Sequence, residues 1–326
     1  MAGVGCLRPG FRAVDLSDIV RSCYLAADGF ADVLAEELAV RGVAVAAWHG
    51  MLALSPDPPA PAAWALNVWT APQELAAPTV GMAADALRAI QRNWGLYAFD
   101  HAGRAGLIVA KLPPLRPKPL RFPVAAPSSH LGAWTLLDAD RMLVSPTQTS
   151  PFINGVVAFE EDRVGPPSRA YLKLWEACTL WRAWPQPGQT CLDLGAAPGG
   201  WTWALAKLGA TIMAVDRAPL EPAIAAMAGV TIRQESAFGL DPADQPPVDW
   251  LCSDIVAYPS RLLTLVQAWI ASGRVGRIVC TLKFQGATDH EAAAAFAAIP
   301  GGRVLHLFHN KHELTFLWRR AEPDSL

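Results

Sequence analysis

From residue 190 onward, short apolar runs alternate with helical stretches, and few architectures accept that pattern. The runs are CLDLG, TIMAVD, VTIRQ, VDWLCSD, RIVCTLK, RVLHLFH and ELTFLWRR. Between them lie GGWTWALAKLG, PLEPAIAAMAG, a poorly patterned stretch, SRLLTLVQAWIASG and DHEAAAAFAAI. Nearly continuous apolar strands joined by helices predict a parallel, doubly wound sheet covered on both faces. Only a short NKH turn separates the last two runs, so they read as a hairpin with the final strand antiparallel to its neighbour. A Pro/Gly/Ser-rich stretch over 145–168 divides the chain by composition. The helical pattern SRAYLKLWEACTLWRAW follows it and is ended by PQPGQ. Upstream, CYLAADG, FADVLAEELAVRG and VAVAAWHGMLALS read as strand, helix and strand. VGMAADALRAIQRNW reads as a helix, and GLIVAKLP and AWTLLDADRMLVS as strands. The expected division is an α+β domain over 1–150, a linker over 151–165 and the α/β domain over 166–326.

In open α/β sheets ligands bind beyond the C-terminal ends of the strands, near the point where the strand order reverses. The loop after the first strand of the second domain reads Asp193-Leu194-Gly195-Ala196-Ala197-Pro198-Gly199-Gly200-Trp201. Small residues let backbone approach a ligand, and a helix N-terminus favours negative charge. Asp216 ends the second strand about 20 residues on, where a carboxylate can take both hydroxyls of a ribose. A dinucleotide fingerprint would need glycine at 197, where alanine stands, and Pro198 removes a further amide donor. A ligand with a ribose but no phosphate fits better, and S-adenosylmethionine is one. An ordinary strand–helix turn is the plainer alternative. A parallel sheet with one reversed strand at its end is the shape of the class I methyltransferase fold, a Rossmann-like doubly wound sheet.

Charges mark the other strand ends. Asp254 closes VDWLCS, Lys283 closes RIVCTL, Glu313 opens the last strand, and Lys173 lies in the helix before the first. A lone lysine at a strand end is commonly a solvated surface residue, but four such charges around one loop are harder to dismiss. DLGAAPGGWTWALAK, Asp254 in CSDIV, Lys283 in TLKF and Glu313 in HELTF resemble the FtsJ-like ribosomal RNA 2′-O-methyltransferases. PPSRAYLKLWEA and SPFINGVVAF look most like the bacterial branch that methylates a cytidine ribose in large-subunit (23S) ribosomal RNA. The likeness is specific over 166–326 and faint over 22–165. It implies a catalytic Lys173-Asp254-Lys283-Glu313 tetrad. It also implies S-adenosylmethionine as cofactor, with Asp193, Gly195, Ala197, Pro198, Gly199, Gly200, Trp201, Asp216 and Asp254 around it. That branch carries an RNA-binding THUMP domain, for which the N-terminal half is short, so a reduced THUMP-like region is implied. The family often has an acidic residue after the third strand to bind the adenine amino group. Here Gln234-Glu235-Ser236 stands there, with Ser236 at the expected place, and Glu235 or backbone takes the role.

The chemistry needs a base, because a ribose hydroxyl must lose its proton as it attacks a sulfonium methyl group. A neutral lysine can accept it, although a free lysine holds its proton up to a pKa of about 10.4. The reading makes Lys283 the base, Lys173 its partner and substrate positioner, and Asp254 and Glu313 the orienting carboxylates.

Other signals are weaker. His306, His309 and His312 resemble a metal set, but in a strand hairpin alternation sends His306 and His309 to opposite faces, so no metal is expected. Cys280, near a strand end where some cytosine-C5 methyltransferases keep a nucleophile, reads as core. Ser253-Asp254-Ile255-Val256 lacks the Asn/Asp-Pro-Pro-aromatic loop of amino-group methyltransferases. Six cysteines form no CxxC pair, which disfavours zinc ribbons and dithiol redox chemistry. A net charge of −2 gives no general attraction to nucleic acid. RNA would need a local patch, and Lys111, Arg116, Lys118 and Arg121 in KLPPLRPKPLRFP offer either one or a solvated linker face. Of the 13 tryptophans, Trp175, Trp203 and Trp269 sit in amphipathic helices and read as core. With no apolar stretch of membrane length and no signal-peptide core, a cytoplasmic protein is expected, with ribosomal RNA as partner. The rivals are a methyltransferase of the same fold acting on a small molecule and a non-catalytic RNA-binding protein.

Overall fold

The computed structural model describes residues 20–321; Cys6 lies outside them. The N-terminal half opens with β1 (Ser22–Ala26), α1 (Ala31–Val40), β2 (Ala47–His49), β3 (Leu52–Ser55) and β4 (Ala65–Trp69). These strands form an antiparallel sheet in the order β2-β3-β1-β4. Then come β5 (Gln73–Ala76), α2 (Val80–Ile90), β6 (Trp94–Leu96), α3 (Ala102–Val109), β7 (Gly132–Leu136) and β8 (Arg141–Ser145). They build a second sheet, β5-β8-β7-β6, in which the β6–β7 pair is parallel.

Two expectations for this half need correction, and one strand was not foreseen. GLIVAKLP begins inside helix α3, not a strand, because Ala105 and Ile108, three apart, are buried against Ala83, Ala84 and Leu87 of α2. VAVAAWHGMLALS is two strands, turned at Gly50 with φ +63°. Strand β4 gave no apolar alternation because buried Asn67 interrupts it, its amide donating to Gln148 Oε1 at 2.7 Å.

The C-terminal half follows the expected alternation: α4 (Tyr171–Trp181), β9 (Thr190–Leu194), α5 (Gly200–Lys207), β10 (Thr211–Val215), α6 (Pro222–Ala225) and β11 (Val230–Arg233). The poorly patterned stretch is two short 3₁₀ turns, followed by β12 (Val248–Ser253), α7 (Pro259–Ser272), β13 (Val275–Lys283), α8 (His290–Ala297), β14 (Gly302–Leu305) and β15 (Glu313–Arg319). The seven strands lie in the order β11-β10-β9-β12-β13-β15-β14, with β15 antiparallel to both neighbours. This order is that of the class I methyltransferase fold. The strand order reverses between β9 and β12, which places the ligand-binding crevice at their C-terminal ends.

Alternation along each strand feeds two cores. Cys252 and Val279 face α4 and α5, while Leu251, Ile278 and Cys280 face α7 and α8. The second core runs on into the N-terminal half through Leu34, Leu38 and Trp64, so one apolar cluster joins both halves. Strand β14 stops at Leu305, earlier than RVLHLFH suggests, because the His306 amide turns to Ala63 O at 2.6 Å. The connection to β15 is therefore longer than NKH and spans 306–312.

Candidate active site

The loop that leaves β9 is shaped by close chain approach. Gly195 holds φ +77°, and a Cβ there would fall 2.6 Å from Ile255 Cγ1 and 2.9 Å from Ile255 Cα. Gly199, at φ +119°, meets Ile224 in the same way, at 2.8 Å. Gly195, Ala197, Pro198, Gly200 and Trp201 line a cavity of about 390 Å³ beside this loop, together with Asp216, Glu235, Ser236, Asp254 and Lys283. Asp216 accepts the amides of Ala197 at 3.1 Å and Ala218 at 2.9 Å, one on each carboxylate oxygen. Glu235 is ion-paired with Arg233, and Ser236 follows it on the cavity wall.

Two residues expected around a ligand stand elsewhere. Gly199 is not among the lining residues, its place being explained by Ile224. Asp193 is fully buried beneath the loop, where Thr202 donates to Oδ2 at 2.6 Å and Oδ1 has no partner. Burial pushes its carboxyl up to about 7, with Asp254 and Asp216 adding to the rise and Thr202 opposing it.

The four strand-end charges converge. Lys173 Nζ donates to Asp254 Oδ1 at 2.8 Å and Oδ2 at 3.1 Å, and lies 3.0 Å from Glu313 Oε1. Lys283 Nζ lies 3.1 Å from Asp254 Oδ1 and donates to the Asp254 carbonyl at 2.5 Å. Four elements and one ladder register produce this. Asp254 follows β12, Lys173 sits on the first turn of α4, and Lys283 pairs directly with Glu313 across β13 and β15. Burial works against the Lys173 charge, but Asp254 and Glu313 outweigh it and hold the ammonium above the ordinary lysine range. Burial likewise opposes the Asp254 charge, and Lys173 and Lys283 overcome it, keeping the carboxyl below the ordinary range. Only Asp254 and Lys283 of the four reach the cavity wall; Lys173 and Glu313 stand behind Asp254.

Sequence reasoning missed several groups here. Thr281 donates to Asp254 Oδ1 at 2.6 Å, and its place two residues before Lys283 on one strand was the available signal. Ile255, Phe238, Arg217 and Arg261 also line the cavity, with the Arg261 guanidinium 3.9 Å above the Phe238 ring. No local pattern marks them.

The three histidines take separate hydrogen-bond partners. His306 is buried with Nε2 on Lys311 O at 3.0 Å, His309 Nδ1 meets Glu176 at 2.6 Å, and His312 meets Thr288 at 2.8 Å. Among the described residues no group of three or more His, Cys, Asp or Glu is placed to hold a metal ion. Burial drives the Cys280 thiol far above its ordinary range, so no thiolate nucleophile forms there.

Residues 166–299 match the model of the FtsJ-like methyltransferase family. The match covers less than half of the chain. Curated relatives match about half of the chain. The chain is 38% identical over 170 residues to ribosomal RNA large subunit methyltransferase M of Alkalilimnicola ehrlichii, covering 48% of this chain and 46% of that protein. With the protein of that name from Methylococcus capsulatus it shares 33% identity over 205 residues, 58% of this chain and 57% of the other. The chain thus spans about half the length of the curated relatives it matches. Among solved structures, the Methanococcus jannaschii fibrillarin pre-rRNA processing protein overlaps 41% of this chain and 68% of its own at a TM-score of 0.32 and 17% identity. The fold assignment stands on the strand order, and the family match includes Lys173, Asp254 and Lys283 and stops short of Glu313.

Proposed function

We propose that this chain transfers a methyl group from S-adenosylmethionine to a ribose 2′-hydroxyl of large-subunit (23S) ribosomal RNA, with Lys173, Asp254, Lys283 and Glu313 as its catalytic group. The observation that carries the reading is the meeting of both ammonium groups on Asp254 Oδ1, at the wall of the glycine-loop cavity. The cavity suits the cofactor: Asp216 offers carboxylate oxygens for ribose hydroxyls, and Phe238 and Ile255 give apolar walls for a purine. Ser236 and Glu235 stand at the adenine end. When bound, S-adenosylmethionine supplies an electrophilic methyl group on a sulfonium centre.

Lys173 is held as an ammonium by two carboxylates and cannot be the base; it fixes Asp254 in place. Lys283 has one side against Asp254 and the other on the cavity, where it accepts the hydroxyl proton as the oxygen attacks. Asp254 and Thr281 keep the Lys283 amine aimed at that spot. Fixing nucleophile and methyl donor in line supplies much of the rate, since such positioning is worth several powers of ten. The α+β region over 1–150 serves RNA docking as a reduced THUMP-like module, joined through 151–165 to the catalytic domain. Among the described residues no helix is long and apolar enough to cross a membrane, and a ribosomal RNA substrate puts the protein in the cytoplasm.

The test is a map of ribose methylation in 23S ribosomal RNA, read as resistance to alkaline cleavage, in cells with and without the protein. One resistant position should vanish with the gene and return with the purified protein and S-adenosylmethionine. An unchanged map, with cofactor still bound in calorimetry, favours the small-molecule methyltransferase that the net charge of −2 also accommodates. Failure to bind the cofactor favours a non-catalytic RNA-binding protein.

A further inference from the structure

We infer that Glu176 is a positioning residue for this reaction, holding the 306–312 turn so that Glu313 reaches Lys173; the inference rests on the activity proposed above. Glu176 lies one helical turn beyond Lys173 on α4 and is only 2% exposed. A buried carboxylate is costly unless its oxygens are satisfied. Here every partner comes from the 306–312 turn. Oε1 accepts the Phe308 amide at 2.8 Å, and Oε2 accepts the His309 amide at 3.0 Å and meets His309 Nδ1 at 2.6 Å.

Strand pairing holds Glu313 from one side only, opposite Lys283 of β13. The β14 ladder reaches only to the Leu305–Thr315 pair, so Glu313 and Leu314 have no β14 partner. On that side the turn itself takes over: the Asn310 amide donates to the Glu313 carbonyl at 3.0 Å and to Thr315 Oγ1 at 3.1 Å. Glu176 grips the residues just before Asn310. Helix α4 therefore holds this end of β15 twice, through Lys173 on the Glu313 carboxylate and through Glu176 on the turn. Loosening the second grip should free Glu313, and with it one of the two carboxylates that fix Lys173 beneath Asp254.

The experiment compares the full chain with its E176Q, H309A, E313Q and E176Q/E313Q variants. E176Q keeps the shape but turns an amide NH₂ toward the turn's donors. Expected for E176Q is a methyl-transfer rate at saturating RNA lower by about tenfold or more, with KM for RNA within about threefold. Its Kd for S-adenosylhomocysteine should stay within about twofold of the parent. H309A, which removes the imidazole but leaves both backbone amides on Glu176, should show a smaller loss of the same kind. Because Glu176 acts through Glu313, E176Q/E313Q should be no slower than E313Q alone. An unchanged rate in E176Q, or a double variant slower by the product of both losses, overturns the inference. If E176Q does not fold, H309A in the parent and E313Q backgrounds decides it by the same comparison. Should the unmutated chain bind S-adenosylhomocysteine yet leave ribosomal RNA unmethylated, the proposed activity fails instead. A crystal structure of E176Q then judges the positioning: Glu313 Oε1 still about 3.0 Å from Lys173 Nζ rejects it.

Discussion

Two carboxylates, Asp193 buried within β9 and half-buried Asp254 just after the neighbouring β12, are driven in opposite directions. Asp254 has two ammonium groups within 3.1 Å and is held ionised. Asp193, with a hydroxyl and no cation, is pushed up to about 7. The second case has a sign that can be measured. The folded state keeps the Asp193 proton between its unfolded value of about 3.9 and its raised one, so it binds more protons than the unfolded chain. Its contribution to stability therefore falls as pH rises from about 4 to about 7 and is level above that. Asp193→Asn should flatten that part of the stability curve in urea melts, and a curve of unchanged slope rejects the assignment. At Lys283 the prediction concerns rate. Lys283→Ala should lower methyl transfer by at least roughly 100-fold, the usual scale for a lost general base. Cofactor affinity should change little in calorimetry. A variant with near-normal turnover removes the base assignment.

The loop after β9 shows how an element can look like a ligand motif for two reasons at once. Its glycines suggest close approach to a cofactor, yet Gly195 and Gly199 are required by Ile255 and Ile224 of the chain itself. Gly195→Ala would combine a left-handed φ, costing about 1–3 kcal/mol for a non-glycine residue, with a clash against Ile255 backbone. Ile255 adjoins Asp254, so the variant should melt earlier in a thermal scan and also lose methyl transfer. A variant with the parent melting temperature would show that the loop relaxes freely. The parallel strands were legible as short, nearly continuous apolar runs, and their helices as a period of about 3.6 residues. Strand β4 and helix α3 were not, since a hydrogen-bonded Asn67 and a short apolar run erase the period.

At the scale of the whole molecule, the N-terminal half is packed against the seven-stranded sheet of the C-terminal half. Phe30 and Trp64 lie among His306, His312 and Phe284, the last being the residue after Lys283. Glu37 fixes this junction by accepting the Ala63 and Trp64 amides at 2.8 Å each. The basic segment over 111–121 crosses from α3 to the C-terminal half, where Phe122 stacks on Trp175 at 5.0 Å. Its four cations are exposed, which suits a phosphate track. Reversing Lys111, Arg116, Lys118 and Arg121 to glutamate should weaken RNA binding and reduce the salt slope by roughly one for each phosphate no longer neutralised. Cofactor affinity should be untouched. Equal affinity at every salt concentration would make the segment a solvated linker.

Residue spacing was enough to predict the doubly wound sheet, its reversed last strand and the identity of the four charged groups. Each of these depends on short-range periods or on a charge at a strand end, where topology leaves little choice. Packing alone supplied the rest: Thr281 on Asp254, Glu176 on the 306–312 turn, Trp64 against His306, and the depth of Asp193. Those contacts join residues that are far apart in the chain or that differ only in burial. Their energies arise from desolvation and shape, which no local pattern of side chains records.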